Sequence, residues 1–234
     1  MGMEVVFDTA ARLIGLVQQT QCGNIRKAAE LIADSFMAGG ILQAFGSGHS
    51  NAGARELCGR AGGFVPTKEI VEPAGGRYET VQGVGEIFMQ RVDIRKEDTV
   101  FIISNSGRNP LPIEIALESK RRGAHVVAVT SVKASAKLTS KHQSGKHLFE
   151  VADVVIDNCV PDGDCCIHLD GLDTAICGMS SITTAAALQA VTYEAARVLL
   201  ERGAEVPVLK SQNIDGGPEW NEALRAKYFD RLHQ

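Results

Sequence analysis

The chain has 234 residues, of which 44% are hydrophobic and 22% are charged, an ordinary balance for a soluble protein with one large core. Only 5% are aromatic and the net charge is −4, which excludes a base-stacking surface and a general attraction for phosphate polymers, so we expect no nucleic-acid partner. No segment reaches the roughly 20 apolar residues of a membrane span, and the start of the chain lacks the basic and apolar regions of a signal peptide. We therefore expect a cytoplasmic protein with no membrane partner.

Helices and strands alternate along the chain. Apolar residues at three- and four-residue steps predict amphipathic helices, whereas short runs of β-branched and aromatic residues such as TVFIIS predict buried strands. The first two helices cover 4–20 and 24–38, and Gly39-Gly40 ends the second, because glycine accepts the left-handed conformation of a helix C-terminus. The later elements are strands over 41–45, 99–104, 125–131 and 153–157 and helices over 50–61, 79–91, 111–123, 180–202 and 218–232.

This alternation predicts an α/β fold in which helices cover both faces of a parallel sheet. The sequence contains no repeat or linker, so we expect one domain over 1–234, with an N-terminal helical extension over 1–40 and a C-terminal helical tail over 205–234. Right-handed crossovers place the carboxyl ends of all strands along one edge, where ligands bind in such sheets. The loops that follow residues 45, 104 and 131 should therefore lie close together.

Cysteine usage points to thiols rather than to a disulfide framework, because the six cysteines show no regular spacing. The segment Asp162–Asp173 mixes Asp, Cys and His, as metal sites do. Its adjacent Cys165 and Cys166 do not easily direct both sulfurs at one ion, and no second cluster of ligands is present. We therefore expect a polar loop with half-buried thiols, and no metal.

The first predicted strand is followed by GSGHSN, residues 46–51, which lead into a helix. Two glycines permit a tight turn and the close approach of a ligand, and Ser47, Ser50 and Asn51 place short polar side chains beside the first N–H groups of the helix. With Gly48 at its centre, the loop is predicted to bind an anion through backbone donors and the helix dipole. The alternatives are a Rossmann turn, for which the third glycine and a later acidic residue are missing, and a simple helix cap at Ser50.

The clearest strand is followed by SNSGRNP, residues 104–110, again before a helix. Ser104 and Ser106 flank Asn105, and Gly107 removes the Cβ that would obstruct a phosphate group. The loop matches neither the P-loop pattern nor the nucleophile elbow G-x-S-x-G. Two hydroxyls and an amide around a glycine are suited to holding a phosphate monoester. Because both loops follow strands of one parallel sheet, we expect them to bind one phosphorylated ligand together.

These motifs resemble those of the SIS (sugar isomerase) domain. The resemblance runs from ILQAFGSGHSNAGARELCGR through TVFIISNSGRNPLPIEIALESKRRGAHVVAVTS to the Ala-rich helix, over residues 25–200. Within the family the chain is similar to phosphoheptose isomerases, and its closing PVLKSQNIDGGPEWNEAL resembles one bacterial branch. The resemblance implies a three-layer αβα sandwich with a five-stranded parallel sheet of the flavodoxin-like kind and no cofactor. It also implies a homodimer or homotetramer with active sites near the subunit boundaries.

The resemblance further implies roles for individual residues. Ser104, Ser106 and Asn109 match the phosphate-binding positions of the second loop, and at Asn109 an amide replaces the usual hydroxyl. Ser50 matches the substrate serine of the first loop. To this binding set we add three serines at the same sheet edge, of which the two on the long helix also suit a capping role: Ser131, Ser180 and Ser181.

Aldose–ketose isomerisation removes a proton next to a carbonyl through an enediolate, and so requires a base and a donor for the sugar oxygens. Glu56 matches the catalytic glutamate of phosphoheptose isomerases, in the setting Glu-Leu-x-Gly-Arg. It lies six residues after Ser50, about 9 Å further along a helix, which suits a sugar chain that runs from its phosphate toward a base. The alternative for Glu56 is an ion pair with a neighbouring arginine. The helix over 180–202 lacks the family's histidine, so His49 is the candidate for ring opening, with a plain surface residue as the alternative.

We therefore expect a phosphosugar-binding protein, and the favoured function is an aldose–ketose isomerase with Glu56 as its base. A noncatalytic phosphosugar-sensing domain and a phosphosugar lyase or etherase are the alternatives. A nucleotide-binding enzyme is disfavoured because the Walker and Rossmann signatures are absent. Sensors of this superfamily often carry a DNA-binding helix-turn-helix domain, and the first 40 residues, with few basic groups, leave little room for one.

Overall fold

Five parallel strands form the central sheet of the computed structural model, which describes residues 2–232. The strands are β1 (Leu42–Gly46), β2 (Thr67–Ile70), β3 (Thr99–Ile103), β4 (His125–Thr130) and β5 (Val154–Asp157). Their order across the sheet is β2-β1-β3-β4-β5, so the chain steps from β1 to β2 on one side and then to β3 on the other. The boundary between β1 and β3 is therefore the topological switch point, where a crevice opens beyond the carboxyl ends of the strands.

Helices cover both faces of this sheet, so the αβα sandwich implied by the SIS resemblance is confirmed. Alternate strand residues enter opposite cores: Ala44 joins the cluster on one face and Phe45 the cluster on the other. Burial on both faces explains why the strands consist of nearly continuous apolar residues. One face holds α1 (Glu4–Met37), α2 (Asn51–Leu57) and α7 (Ser180–Glu201), and the other holds α3 (Val84–Met89), α4 (Pro110–Arg121) and α6 (Leu148–Val151).

The remaining elements are short. A two-stranded antiparallel hairpin begins within Asp162–Asp173, where the sequence predicts a polar loop, and its second strand follows that segment. The predicted C-terminal helix over 218–232 is divided in two. No helix within residues 2–232 is long and apolar enough to cross a membrane. Met1, His233 and Gln234, at the ends of the predicted 1–234 domain, lie outside the described residues. The short elements are α5 (Val132–Ser135), β6 (Cys165–Ile167), β7 (Ile176–Gly178), α8 (Gly217–Ala226) and α9 (Phe229–Leu232).

The N-terminal region is one helix of 34 residues, so the prediction of two helices is wrong. Gly23, near the predicted break, is exposed, and helical glycine costs only about 1 kcal/mol relative to alanine. Packing outweighs that cost, because Val17 and Ile25 on either side of it are buried in the same core cluster. The predicted stop is confirmed: the N–H groups of Gly39 and Gly40 bond to the carbonyls of the last turn, and Gly39 has a φ of 78°.

Two predicted helices are shorter than expected. The helix over 50–61 ends at Leu57, because Cys58 is extended and cannot continue it. The helix over 79–91 begins only at Val84, since Gly83 before it has a φ of 84°. The residues 71–83, which we call the 71–83 loop, are instead an irregular connection between β2 and α3.

The C-terminal tail is fixed to the amino-terminal edge of the sheet by a buried ion pair. Arg231 of α9 donates from Nη2 to both carboxylate oxygens of Asp98, at 3.0 and 2.8 Å, and Asp98 is fully buried just before β3. Asp98 also accepts hydrogen bonds from the backbone N–H groups of Ile41 and Arg95 and from the side-chain amide of Gln43. The tail is thus anchored at the edge opposite to the serine-bearing loops.

Glu118 on α4 provides a test of pH-dependent stability. Hydrogen bonds from the guanidinium of Arg121 (2.6 Å) and then from that of Arg122 (2.8 Å) lower the pKa of Glu118 from 4.5 to about 2. Because the folded pKa lies below the unfolded one, this stabilisation is present at neutral pH and is lost as the pH falls from about 4.5 to about 2. We expect Glu118→Gln to flatten the acid dependence of the free energy of unfolding in that window, measured by urea unfolding. Parallel curves for both proteins would contradict the assignment.

Candidate functional site

The loops after β1 and β3 meet at the switch point of the sheet. Ser47 and a 3-10 turn over Gly48–Ser50 follow β1, and residues 104–109 follow β3. Both loops contribute to one cleft, together with the segment after β5 and the start of α7. The polar lining of the cleft consists of His49, Ser50, Asn105, Asn158, Ser180, Ser181 and Thr184.

The cleft is small and open to solvent, with a volume of about 10 Å³. That volume is enough for about one water molecule. The helices beside it are packed tightly, because a Cβ at Gly53 of α2 would lie 3.1 Å from the Thr184 side chain and 3.2 Å from that of Ile103. The cleft in this arrangement is therefore too small to enclose a ligand of sugar size.

The first loop is shaped by glycine and contains a buried hydroxyl. A Cβ at Gly46 would collide with the backbone carbonyl of Ser50, so the turn needs a glycine there. The Ser47 hydroxyl is buried and has no hydrogen-bond partner within residues 2–232. Gly48 is exposed, and Asn51 points its amide to Glu69 of β2, at 2.6 Å, so that neither lines the cleft.

The second loop is held to its neighbours through Asn105. The Asn105 carbonyl accepts hydrogen bonds from the N–H of Ser131 and the hydroxyl of Thr130, both at 3.1 Å, and its side-chain oxygen accepts one from Asn158 at 2.9 Å. Gly107 has a φ of 57°, and a Cβ there would lie 2.8 Å from the Thr130 hydroxyl. A side chain at position 107 is thus excluded by strand β4, whereas the sequence suggested that the glycine makes room for a phosphate group.

The serine hydroxyls of the second loop are differently engaged. The Ser104 oxygen is buried and accepts a hydrogen bond from the Gly107 N–H at 3.3 Å, which leaves its own proton to donate. The Ser106 hydroxyl is partly exposed and has no hydrogen-bond partner in the described part of the chain. Two O–H groups are therefore able to donate to an anion that enters this loop.

Three other predicted binding residues are distributed differently from the expectation. The Ser131 hydroxyl donates to the Val160 carbonyl at 2.5 Å, and Ser131 lines a separate cavity of about 670 Å³ beside α1. Ser180 lines the cleft, and its N–H and hydroxyl both donate to Asp164, at 2.7 and 2.8 Å, so Asp164 and not Ser180 accepts from the start of α7. Ser181 lines the cleft and is exposed.

The two predicted catalytic residues also differ in their positions. His49 lines the cleft and is exposed to solvent. Glu56 lies on α2 one turn beyond Gly53, outside the cleft lining, and its carboxylate accepts hydrogen bonds from Arg60 and from Gln189 of α7, the latter at 2.5 Å. The ion pair with an arginine, which the sequence offers as the alternative role of Glu56, is therefore present. The carboxylate lies at the contact between α2 and α7.

The 71–83 loop lies across both serine-bearing loops. A Cβ at Gly76 would lie 3.0 Å from the N–H nitrogen of Gly48 in the first loop. In the second loop, the Asn109 side-chain amide donates to the Glu79 carboxylate at 2.8 Å, and the Leu111 N–H donates to the Glu79 carbonyl at 3.2 Å. This loop therefore contacts both serine-bearing loops, although none of its residues lines the cleft itself.

Sequence reasoning missed several of these residues. Asn158 directly follows the predicted strand over 153–157, so the strand-end rule that identified the serine loops was sufficient to find it. Arg108 lies within the second loop, and its buried Nε has no partner among residues 2–232, which makes it a cation available beside the serines. Glu79 had no such signal, because its position depends on the path of the 71–83 loop.

The cysteine thiols near the site are not activated. Burial first, and then the charge of Glu69, raises the pKa of Cys58 to about 12, so this thiol stays protonated at neutral pH. Burial also raises the pKa of Cys166, whose strand β6 lies within Asp162–Asp173. No group of three or more His, Cys, Asp or Glu residues able to hold a metal ion occurs between residues 2 and 232.

Comparison with known proteins agrees with this architecture. A family described as the SIS domain matches residues 7–131. The UPF0309 protein lmo0025 of Listeria monocytogenes is 48% identical over 226 residues, which cover 97% of each chain.

Two solved structures show the shared fold at low identity. A phosphoheptose isomerase from Francisella tularensis has a TM-score of 0.59 at 13% identity, and the alignment covers 83% of this chain and 96% of that one. The Vibrio vulnificus NanR protein has a TM-score of 0.54 at 13% identity, with 97% and 67% covered. With these structures sharing its sheet and the SIS model matching more than half of its length, the chain belongs to the SIS domain family and to the branch of bacterial UPF0309 proteins.

Proposed function

We propose that this protein binds a phosphorylated sugar in the cleft at the β1–β3 switch point. The observation that carries the proposal is the convergence of the two serine-bearing loops on one cleft, each directly beyond a parallel strand. Membership of the SIS family supports it, as does the similarity to NanR, which was solved in complex with ManNAc-6P. Ser47, Ser104 and Ser106 lie outside the lining of the cleft, and their hydroxyls would donate charge-assisted hydrogen bonds to a phosphate bound at its border.

We further propose that the bound sugar is isomerised, with Glu56 as the base. Its carboxylate is held by Gln189 and Arg60 in one orientation, next to the end of the cleft formed by Gly53. In this reaction Glu56 would take the proton from the carbon next to the carbonyl, and the resulting enediolate would be reprotonated at the neighbouring carbon. His49, which directly precedes Ser50 and lines the cleft, would assist opening of the sugar ring.

The whole chain over 1–234 would act as one SIS domain within a homodimer or homotetramer. Large apolar side chains are exposed on the helical face formed by α1 and α7, including Phe7 (70%), Tyr193 (72%) and Leu200 (68%). A subunit that covered this face would remove them from water. Glu56 contacts Gln189, which lies one helical turn before Tyr193 on α7. A partner subunit on this face would therefore border the proposed base.

A noncatalytic phosphosugar-sensing domain is the second candidate, because Glu56 is engaged by two donors and lies outside the cleft lining. Both functions predict that phosphosugars raise the melting temperature. Only the isomerase predicts deuterium incorporation at the carbon next to the carbonyl when the sugar is incubated in heavy water and observed by NMR.

The deciding experiment is therefore a thermal-shift panel of phosphosugars followed by exchange in heavy water. We expect Glu56→Gln to retain the thermal shift and to lose the exchange, whereas Glu86→Gln, an exposed carboxylate on α3, should keep both. Normal exchange in Glu56→Gln would remove the base assignment. Exchange absent from the wild type, with binding intact, would establish the sensing function instead.

We expect Ser106→Ala to weaken phosphosugar binding by about 1–3 kcal/mol, since one charge-assisted hydrogen bond is lost. The matched control is Ser211→Ala, whose hydroxyl lies in the C-terminal segment and accepts a hydrogen bond from the Asn213 N–H. Titration calorimetry on both variants measures the difference. An unchanged affinity in Ser106→Ala would count against the second loop as the phosphate site.

A further inference from the structure

Glu79 makes two contacts with the start of α4, where the second serine loop ends. Its carboxylate oxygen Oε1 accepts a hydrogen bond from Nδ2 of Asn109, the residue that caps α4, at 2.8 Å. Its backbone carbonyl accepts one from the N–H of Leu111 at 3.2 Å. One residue of the 71–83 loop therefore occupies both of these donors.

These two donors matter because α4 begins with few others. Pro110 and Pro112 have no N–H, so Leu111 provides the N–H among the first three helical positions. An anion at a helix N-terminus normally accepts from such groups. At α4 the acceptor is Glu79, and its carboxylate has the charge sign of a phosphate oxygen.

The 71–83 loop is firmly attached at its two ends and held more weakly at Glu79. Near its start, the buried Glu72 accepts hydrogen bonds from the N–H groups of Ala74 and Gly76. Near its end, the buried Glu114 of α4 accepts hydrogen bonds from the N–H groups of Gly83 and Gly85, both at 2.6 Å. Glu79 is only partly buried, and within residues 2–232 no cation pairs with it. Its charge is thus offset by an amide alone.

Polar groups beneath the loop are left without partners in this closed arrangement. The Ser47 hydroxyl is more than nine-tenths buried and lies 3.3 Å from the position that a Cβ of Gly76 would take. The Asn109 side-chain oxygen is also buried and unpartnered among the described residues. Buried polar atoms without partners are costly, so a ligand that supplies hydrogen bonds here would be favoured once the loop moves.

We propose that Glu79 is an internal competitor for the phosphate site: it holds Asn109 in the ligand-free protein and must withdraw when a phosphate monoester binds. The inference rests on the proposed function, since it concerns the same second loop. A carboxylate and a phosphate dianion on one amide repel each other strongly at such distances. Glu79 therefore sets the affinity of the second loop for a phosphate group, and its withdrawal frees the Asn109 amide.

The test compares wild type with Glu79→Gln and Glu86→Gln, using inorganic phosphate and fructose 6-phosphate as probes in titration calorimetry. The glutamine keeps an oxygen that accepts from Asn109, so the loop packing is retained and only the charge is removed. Glu86→Gln makes the same change of net charge on the adjacent helix, at an exposed position. We expect Glu79→Gln to bind both probes about fivefold or more tightly, and Glu86→Gln to match the wild type.

Hydrogen exchange gives a second measure that does not depend on a variant. Saturating phosphate should increase amide exchange at the centre of the 71–83 loop in the wild type, because Glu79 is released. Equal affinities in the wild type and Glu79→Gln would overturn the competitor role while leaving the proposed function standing. Loss of binding in Glu79→Gln would make Glu79 a ligand-binding group and also overturn it. No binding by any of the three proteins would overturn the proposed function together with this inference.

Discussion

Replacement of Asp98 by alanine is expected to lower the free energy of unfolding by about 3–5 kcal/mol, because it leaves a buried cation without its partner. The Arg231 guanidinium is 9% exposed and donates to both oxygens of the fully buried Asp98. The same carboxylate accepts from Gln43 and from two backbone N–H groups that precede β1 and β3. Removal of the carboxylate would leave all of these buried donors without an acceptor.

The matched control is Asp93→Ala. Asp93 also pairs with Arg231, at 3.5 Å, but it is 32% exposed, and exposed pairs contribute about 0–1 kcal/mol. Urea unfolding followed by circular dichroism measures both variants. Hydrogen exchange should show that α9 is released in Asp98→Ala and retained in Asp93→Ala. Equal losses of stability would mean that the buried network is not what holds the tail.

Replacement of Gly46 by alanine is expected to cost about 3 kcal/mol of stability and to abolish stabilisation by phosphosugars. The new Cβ would collide with the Ser50 carbonyl and would lie 2.8 Å from the Asn51 nitrogen. Both are backbone atoms, which cannot rotate away as a side chain does. The turn that contains Ser47 must therefore shift, and with it one half of the cleft.

Gly23→Ala is the control of opposite sign. Gly23 is exposed within α1, and nothing lies within 4 Å of its added Cβ, so alanine should stabilise the helix by about 0.5–1 kcal/mol. Thermal unfolding in the presence and absence of a phosphosugar measures both effects. A wild-type melting temperature and ligand response in Gly46→Ala would show that the first loop tolerates the displacement.

The sequence was sufficient to predict most of the sheet, for a physical reason. The residues of β1 and β3 are all buried, those of β4 are buried after the first, and those of β5 are buried or partly buried. Their apolar runs reflect that burial. The strand β2 escaped prediction because it is an edge strand of four residues, TKEI, whose polar side chains are partly exposed. Only its pairing with β1 makes it a strand, and pairing is not visible in local composition.

The candidate site was predictable to the extent that it follows strand ends. The two serine loops could be expected at one edge, because parallel strands place their carboxyl ends together. The direction of each hydroxyl could not be expected: Ser131 lies at the correct edge but donates to the Val160 carbonyl, and Ser180 bonds to Asp164. Glu79 enters the site through an irregular loop, where neither periodicity nor a motif specifies the path of the backbone.

The two prolines at the start of α4 affect how the site would respond to acidity. Because Pro110 and Pro112 remove N–H groups, recognition of the proposed phosphate would fall more heavily on the hydroxyls of Ser104 and Ser106. A hydroxyl both donates and accepts, whereas an amide N–H only donates. When a phosphate monoester gains a proton near pH 6, a serine can rotate and accept it. Such a loop would keep its hydrogen bonds in both protonation states, and so would tolerate a shift in pH that would weaken an all-amide site.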